Sequence, residues 1–475
     1  MILFFKGSSN NLIAVGTAEK LTGKDIEKLI WLFGEASLLD KDNIEGLFVG
    51  PRKEMITPWS TNAVEITQNM AITGIKRIEE FHATTSKKPH YDPMLQSLYK
   101  GLNQSIFTID KLPDPVFFID DIKAFNLNEG LALNDEEIGY LDKLSKSIGR
   151  KLTDSEVFGF SQVNSEHCRH KIFNGTFILS GKEKEATLFQ MIKETTKTNP
   201  NKVVSAYKDN CAFVQGPVVE QFAPATQDKP DFFKIKDYES VLSLKAETHN
   251  FPTTVEPFNG AATGTGGEIR DRIAGGKGAF PIAGTAVYMT SYPRPDGDRS
   301  WEKATQERPW LYQTPEDILI KASNGASDFG NKFGQPLICG SVFTFEHFEN
   351  LKKFGYDKVI MLAGGIGIGK KKDSEKNIPE KGDLIVLLGG DNYRIGMGGG
   401  AVSSVNTGKF NSSIELNAVQ RANPEMQKRV YNAIRALSES DNNPVVSIHD
   451  HGAGGHLNCL SELVEATGGK IDISK

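Results

Sequence analysis

Three side chains of contrasting chemistry stand at alternate positions in Ser243-Leu244-Lys245-Ala246-Glu247-Thr248-His249-Asn250. A strand has a side-chain period of two, so this segment, if extended, puts Lys245, Glu247 and His249 on one face and Leu242, Leu244 and Ala246 on the other. An ammonium, a carboxylate and an imidazole are costly to bury together. They offer a phosphate partner, a ligand for a hard metal ion and a group that can hold or move a proton. The plainer alternative is an exposed strand face with an ion pair.

The next block runs Gly260-Ala261-Ala262-Thr263-Gly264-Thr265-Gly266-Gly267-Glu268-Ile269-Arg270-Asp271. As a flexible turn, Gly264, Gly266 and Gly267 would let backbone amides approach a polyphosphate. Glu268, Arg270 and Asp271 add carboxylates for Mg²⁺ and a cation beside them. The block carries neither the P-loop signature nor a dinucleotide fingerprint. A turn without a ligand is the alternative.

Gly364–Lys371 fits G-x-x-x-x-G-K, but Lys371 stands where the Mg²⁺ hydroxyl belongs and a charged loop follows, so the P-loop reading fails. Asp450 follows an apolar run, 444–448, and precedes Gly452-Ala453-Gly454-Gly455, where α/β folds bind phosphate and metal. His449, His451 and His456 suggest zinc, yet their spacing matches no standard zinc pattern, and Asp450 suits Mg²⁺ better. Asn164-Ser165-Glu166-His167-Cys168-Arg169-His170-Lys171 invites a thiol-nucleophile reading. Sequence neighbours point in different directions, however, and a basic surface loop explains the run as well.

The elements that must position these groups are partly legible. Thr22 and Asp25 form a capping-box pattern ahead of Ile26, Leu29, Ile30 and Phe33 on one helical face. A second helix is expected from Ser60, strands over Glu45–Pro51 and Ile75–Phe81, and a polar helix over Asp135–Ile148. Strands and glycine-rich loops follow from Val203 to the run 361–369, and then a charged boundary, 370–381. Beyond it the pattern predicts strands over Asp383–Leu388 and Pro444–Ile448 and helices over Pro424–Leu437 and His456–Thr467.

At about 150 residues per domain, 475 residues suggest about three domains. Charged residues are 24% and the net charge is −5, which excludes a disordered chain and gives no global bias towards nucleic acid or anionic lipid. No run approaches 18 apolar residues, the start lacks a basic segment before its short apolar run, and four scattered cysteines form no framework. A reduced, cytoplasmic protein without nucleic-acid or membrane partners is expected.

The runs 164–174, 247–250, 260–271, 419–426 (VQRANPEM) and 448–455 (IHDHGAGG) occur together and in an order that resembles the phosphoribosylformylglycinamidine synthases of the large, single-chain type. Gly50–Ile72 is similar to the N-terminal domain of that family, so the resemblance covers essentially the whole chain. It implies an α+β fold: a small ferredoxin-like N-terminal domain (1–135), a helical linker (136–190), and two aminoimidazole-ribonucleotide-synthetase-like α/β domains (191–369 with the ATP loop, and 370–475, cut short).

The implied activity is ATP-dependent conversion of formylglycinamide ribonucleotide and ammonia to the amidine through an iminophosphate, with ammonia drawn from glutamine by a glutaminase domain. By position, His167 and His249 resemble the catalytic histidines. His170, Lys245 and the stretch 260–271 resemble ATP contacts, and Glu247, Asp271 and Asp450 resemble Mg²⁺ ligands. Thr248, His249, Asn250, Arg270 and Gln420 resemble substrate contacts. Phe251 and His451 depart from the family pattern, where a histidine and an apolar residue are usual. No glutaminase motif is recognised, so an N-terminal fragment is expected, of weak activity alone and with apolar sheet edge left for self-association. A non-catalytic Mg-ATP-binding module and a kinase-like relative of the same fold are the alternatives.

Overall fold

The Thr22 hydroxyl accepts the Asp25 amide while Asp25 accepts the amide of Thr22, and the helix α1 (Gly23–Leu32) starts there. This computed structural model describes residues 1–7, 11–53, 56–91, 96–109, 115–303, 313–389, 423–452 and 454–471; the side chains of His167 and Cys168 are outside the description. The described chain forms two compact units, Met1–Pro115 and the residues from Val116 onwards.

In the first unit β1 (Ile2–Lys6), β2 (Asn11–Thr17), β3 (Ser37–Leu39), β4 (Ile44–Pro51), β5 (Ile75–Thr84) and β6 (Gln96–Leu102) form one sheet in the order β3-β1-β2-β5-β4-β6. Its described pairs are antiparallel. The helix α2 (Pro58–Asn69) begins two residues before the expected start because Thr57 caps it. Alternation along the strands gives the sheet two apolar faces. Phe5, Ile13, Val15 and Ile78 pack with Leu29 and Ala63 of the helices, whereas Phe4, Leu12, Ala14 and Phe81 pack with Leu102 and Ile106 on the other side.

The second unit opens with helices α3 (Ile122–Glu129), α4 (Asp135–Ile148) and α5 (Asp154–Val163), then short turns of helix α6 (Glu166–Arg169) and α7 (Lys171–Asn174). The two-residue strands β7 (Ile178–Leu179) and β8 (Lys182–Glu183) precede α8 (Leu188–Thr198). Its main sheet contains β9 (Val203–Ser205), β10 (Ala212–Ala223), β11 (Lys234–Thr248), β12 (Phe280–Thr290), β13 (Leu337–Thr344) and β16 (Ile360–Lys370), in the order β13-β12-β16-β11-β10-β9; β14 (Glu346–Glu349) and β15 (Lys352–Gly355) form a separate hairpin. Helices α9 (Asn250–Val255), α10 (Pro257–Ile273) and α11 (Pro315–Phe333) follow β11 and β12, and α12 (Pro424–Glu439) and α13 (Gly455–Leu463) complete the described chain. The architecture is α+β, as expected.

Three expectations are corrected. The stretch 260–271 is no flexible turn: it lies inside α10, with almost every side chain buried. Each glycine costs about 1 kcal/mol against alanine in a helix interior, so tertiary packing must offset several kcal/mol. The close approach of neighbouring elements supplies it. A Cβ on Gly260 would stand 2.5 Å from the Pro252 carbonyl carbon, one on Gly264 2.8 Å from the His249 Cβ, and one on Gly266 2.7 Å from the Phe329 ring. The other two corrections are the strands over 383–388 and 444–448, which are not ladder strands. A strand needs a neighbouring strand for its backbone groups, and among the described residues these segments make only isolated bonds: the Asp383 amide to the Glu380 carbonyl, the Val445 amide to Asn443 Oδ1, and the Asn377 amide to the Val446 carbonyl. The rejected P-loop match is β16 itself, where the glycines give room to Arg272 and to neighbouring backbone.

Candidate functional site

Period two in β11 places Lys245 and Glu247 on one face, and His249, one residue past the end of the strand, stays on the same side under α10, but that face is the covered one. Val241 and Ser243 on it are buried, while Leu244 on the opposite face is 42% exposed. The inversion has a physical reason: α10 packs over the polar face and brings its own charges. The Lys245 ammonium lies 3.2 Å from Glu247 and 2.9 Å from Asp271. Burial alone would lower the Lys245 pKa, but the Asp271 and Glu247 carboxylates outweigh it and hold it above the usual lysine value.

Asp450, near the far end of the chain, joins the group. Its Oδ2 accepts from Arg270 Nε at 3.4 Å and its Oδ1 from Asn210 Nδ2 at 2.7 Å. Burial, with the Asp271 charge adding to it, pushes the Asp450 carboxyl up to about 6. Burial also raises Asp271, although Lys245 opposes the shift. Gln427 of α12 donates to the Gly266 carbonyl at 2.9 Å and holds that helix against α10.

His249 stands at the start of α9. Its Nδ1 lies 2.5 Å from the Gly260 carbonyl oxygen, which makes Nδ1 the protonated nitrogen in the neutral ring. Asn250 Oδ1 accepts the Met361 amide and ties the turn to β16. Thr248 ends β11 on its exposed face. Phe251, at the position of departure, is fully buried, so an apolar ring faces the interior here.

Several expected residues lie elsewhere. Glu268 ends inside the protein: its carboxylate accepts from Arg272 Nε at 2.8 Å and from Gln335 Nε2 at 2.6 Å, and burial raises its pKa to about 7. Gly260 to Gly267 present helix, not free amides, to their neighbours, so of the block 260–271 only Arg270 and Asp271 carry charge into the cluster. His170, in a left-handed conformation after α6, stacks on Phe189 with ring centroids 6.0 Å apart. His167 lies in α6, and its side chain is outside the description. Gln420 lies outside the described residues. Cys211 and Cys459 are buried, and burial pushes both thiols up to about 12, which leaves neither fit as a nucleophile. His451 and His456 bond each other at 2.9 Å.

Among the described residues no group of three or more His, Cys, Asp or Glu side chains is arranged to hold a metal ion. Lys245 stands between Glu247 and Asp271. Even so, the donor set is hard carboxylate oxygen, the chemistry Mg²⁺ takes. Asp271 and Asp450 share one neutral amide between them, and a dication would answer the burial that raises both. The fit is to Asp271 and Asp450, with Glu247 linked through Lys245. Sequence reasoning missed Asn210, Lys376 and Gln427; an isolated amide or a lysine in a charged loop carries no pattern that marks it.

Comparisons with known proteins match three separate stretches of the chain. Residues 380–475 match the C-terminal domain of AIR synthase related proteins, which gives the class of that region. Residues 12–106 match the formylglycinamide ribonucleotide amidotransferase N-terminal domain, and 122–171 the linker domain of the same enzyme. The chain is 34% identical, over 97% of its length, to a protein of Arabidopsis thaliana named probable phosphoribosylformylglycinamidine synthase, chloroplastic/mitochondrial, and spans 35% of that relative. The chain belongs to the phosphoribosylformylglycinamidine synthase family. Among solved structures, Thermotoga maritima PurL complexed with FGAR is 24% identical, with 69% of this chain and 41% of that one covered and a TM-score of 0.43. The same protein complexed with ATP is 22% identical, with 69% and 40% covered and a TM-score of 0.38.

Proposed function

We propose that the chain carries the nucleotide-binding part of an ATP-dependent carbon–nitrogen ligase that makes formylglycinamidine ribonucleotide in purine biosynthesis. ATP phosphorylates the formamide oxygen of formylglycinamide ribonucleotide; ammonia then attacks that carbon, and the C–O bond breaks to release phosphate. The ammonia comes from glutamine through a glutaminase domain, a partner the reading requires. One observation carries the assignment: a charged lysine, an arginine and three carboxylates converge from β11, α10 and the stretch before α13.

In this reading Lys245 and Arg270 neutralise phosphate oxygens, and catalysis rests on positioning and charge more than on covalent chemistry. Asp271 and Asp450, with Glu247 behind Lys245, would hold Mg²⁺. When bound, the ion neutralises phosphate charge and polarises the bond that breaks. The His249 ring, fixed by the Gly260 carbonyl, and His167 hold or move the protons of the attacking ammonia. Thr248, Asn250 and Gln420 take the ribonucleotide, and His170 lies towards the nucleotide. The four-part division at residues 135, 190 and 369 is part of the same proposal. Matches to the N-terminal and linker families argue against a kinase-like relative.

Among the described residues no helix is long and apolar enough to cross a membrane. Cys211, Cys339 and Cys459 are free, which supports a reducing compartment, the cytoplasm in our reading.

Titration calorimetry with Mg-ATP tests the core of the proposal. The wild-type chain should bind, and Lys245→Met should weaken binding at least about tenfold, the loss of one charged contact. No binding by the wild type would end the reading. Ammonia-dependent ADP release with the ribonucleotide then separates a ligase from a non-catalytic binding module; weak turnover is expected.

A further inference from the structure

The loop 206–211 between β9 and β10 has no part in the roles assigned so far. Tyr207 in it holds φ +63°, a left-handed conformation that costs a non-glycine residue of order 1 kcal/mol. Such a conformation persists where the surroundings fix it: the Tyr207 hydroxyl lies 2.7 Å from Thr196 Oγ1, and two residues on the loop is tied down by Asp209. Its Oδ2 accepts the Gly276 amide at 2.7 Å, and its Oδ1 pairs with Lys376 at 2.5 Å.

Asn210 comes next in the loop. Its Nδ2 donates to Asp450 Oδ1 at 2.7 Å and to Asp271 Oδ1 at 3.1 Å, and its Oδ1 accepts from Lys376 Nζ at 3.3 Å. One amide therefore spends both donor hydrogens and its acceptor on charged groups from three separate stretches of chain. The reverse orientation would set its oxygen against two carboxylates and its hydrogens against an ammonium, so the amide has one sense only.

We propose that Asn210, oriented by Lys376, is a positioning residue for the divalent cation that Asp271 and Asp450 share, a proposal that rests on the function proposed above. It takes Oδ1 of each carboxylate. Oδ2 of each is left on the side of Lys245 and Arg270, the two cations assigned to phosphate. An outer partner of this kind fixes the rotation of the ligands it holds, and its loss typically costs about 10–100-fold in metal affinity. Without Asn210 the two carboxylates lose their common partner and turn independently.

The test uses Mn²⁺ as the probe, with free Mn²⁺ read by electron paramagnetic resonance in titrations of the full 475-residue chain. Asn210→Ala should bind Mn²⁺ about 10–100-fold more weakly than wild type. Lys376→Met, which removes the group that orients the amide together with its ion pair to Asp209, should lose about three- to tenfold. Melting temperatures in EDTA give the readout for a merely structural role: such a role lowers them and leaves the Mn²⁺ affinity of the folded protein unchanged, and that pattern overturns the proposal. Asp450→Asn separates the two levels. If it abolishes binding while Asn210→Ala and Lys376→Met stay within twofold of wild type, the positioning role fails and the acid ligands stand. If Asp450→Asn also binds as wild type does, or wild type binds no Mn²⁺, the ligand reading fails and the positioning role falls with it.

Discussion

Lys245 stays charged in a place that disfavours charge because two carboxylates lie within 3.2 Å of it. The opposite holds for Asp450, where burial wins and the carboxyl keeps its proton up to about pH 6. Two consequences follow at this scale, and both signs can be worked out. A dication competes with that proton, so Mn²⁺ affinity should rise from pH 5 to pH 7 and level off above, as titrations at fixed pH would show. In the metal-free chain the folded state binds more protons than the unfolded one between the ordinary carboxyl pKa and about 6. Its stability should therefore fall as pH rises through that window, and Asp450→Asn should flatten the slope in denaturant titrations. A slope unchanged in the variant would assign the proton elsewhere.

The element that decides the site is α10, a helix with glycines packed where most helices carry larger residues. Its register is held by polar bonds that apolar packing alone would not specify. Arg272, fully buried, donates to Glu268, to Gln335 and, at 2.6 Å, to the Ile366 carbonyl of β16. With the rotation of the helix held there, Asp271 and Arg270 fall beside β11. Two adjacent glycines make a test with opposite signs. Gly266→Ala would drive a methyl into the buried Phe329 ring and should destabilise by about 1–3 kcal/mol. At Gly267 a methyl meets nothing closer than 3.6 Å, so Gly267→Ala should stabilise by up to about 1 kcal/mol through helix propensity. Thermal denaturation reads both; equal effects would show that helix packing does not set the glycine pattern.

For the second unit as a whole, the main sheet has α10 and α11 on one face, where Ala261, Ala322, Ala326, Met361 and Ala363 close the core. Register puts Val214, Leu242, Leu244, Ile366, Ile368 and Phe343 on the other, and among the described residues no helix covers them. Leu244 is 42% and Phe343 54% exposed. An apolar face of this extent is unusual to leave in water. We propose that the self-association expected of the chain uses this face, with the sheet edge as the other surface it could use. Sedimentation at several concentrations should show association that Leu244→Asp abolishes. A wild-type monomer at every concentration would count against it.

Period two in 243–248, the capping box at Thr22 and the apolar spacing of the helices follow from local geometry, and the structure has each of them; the strand stops short of His249 and Asn250, where a helix begins. Family motifs added the ligand types. What residue order could not decide was which face of β11 would be covered, or that a glycine-rich run would be helix. Both depend on what packs against the segment, because glycine's poor helix propensity is overridden only where neighbours come close enough to use its missing side chain. Asn210, Lys376 and Asp450 are far apart along the chain, and a hydrogen bond between distant residues leaves no mark in spacing. Their meeting is a tertiary fact.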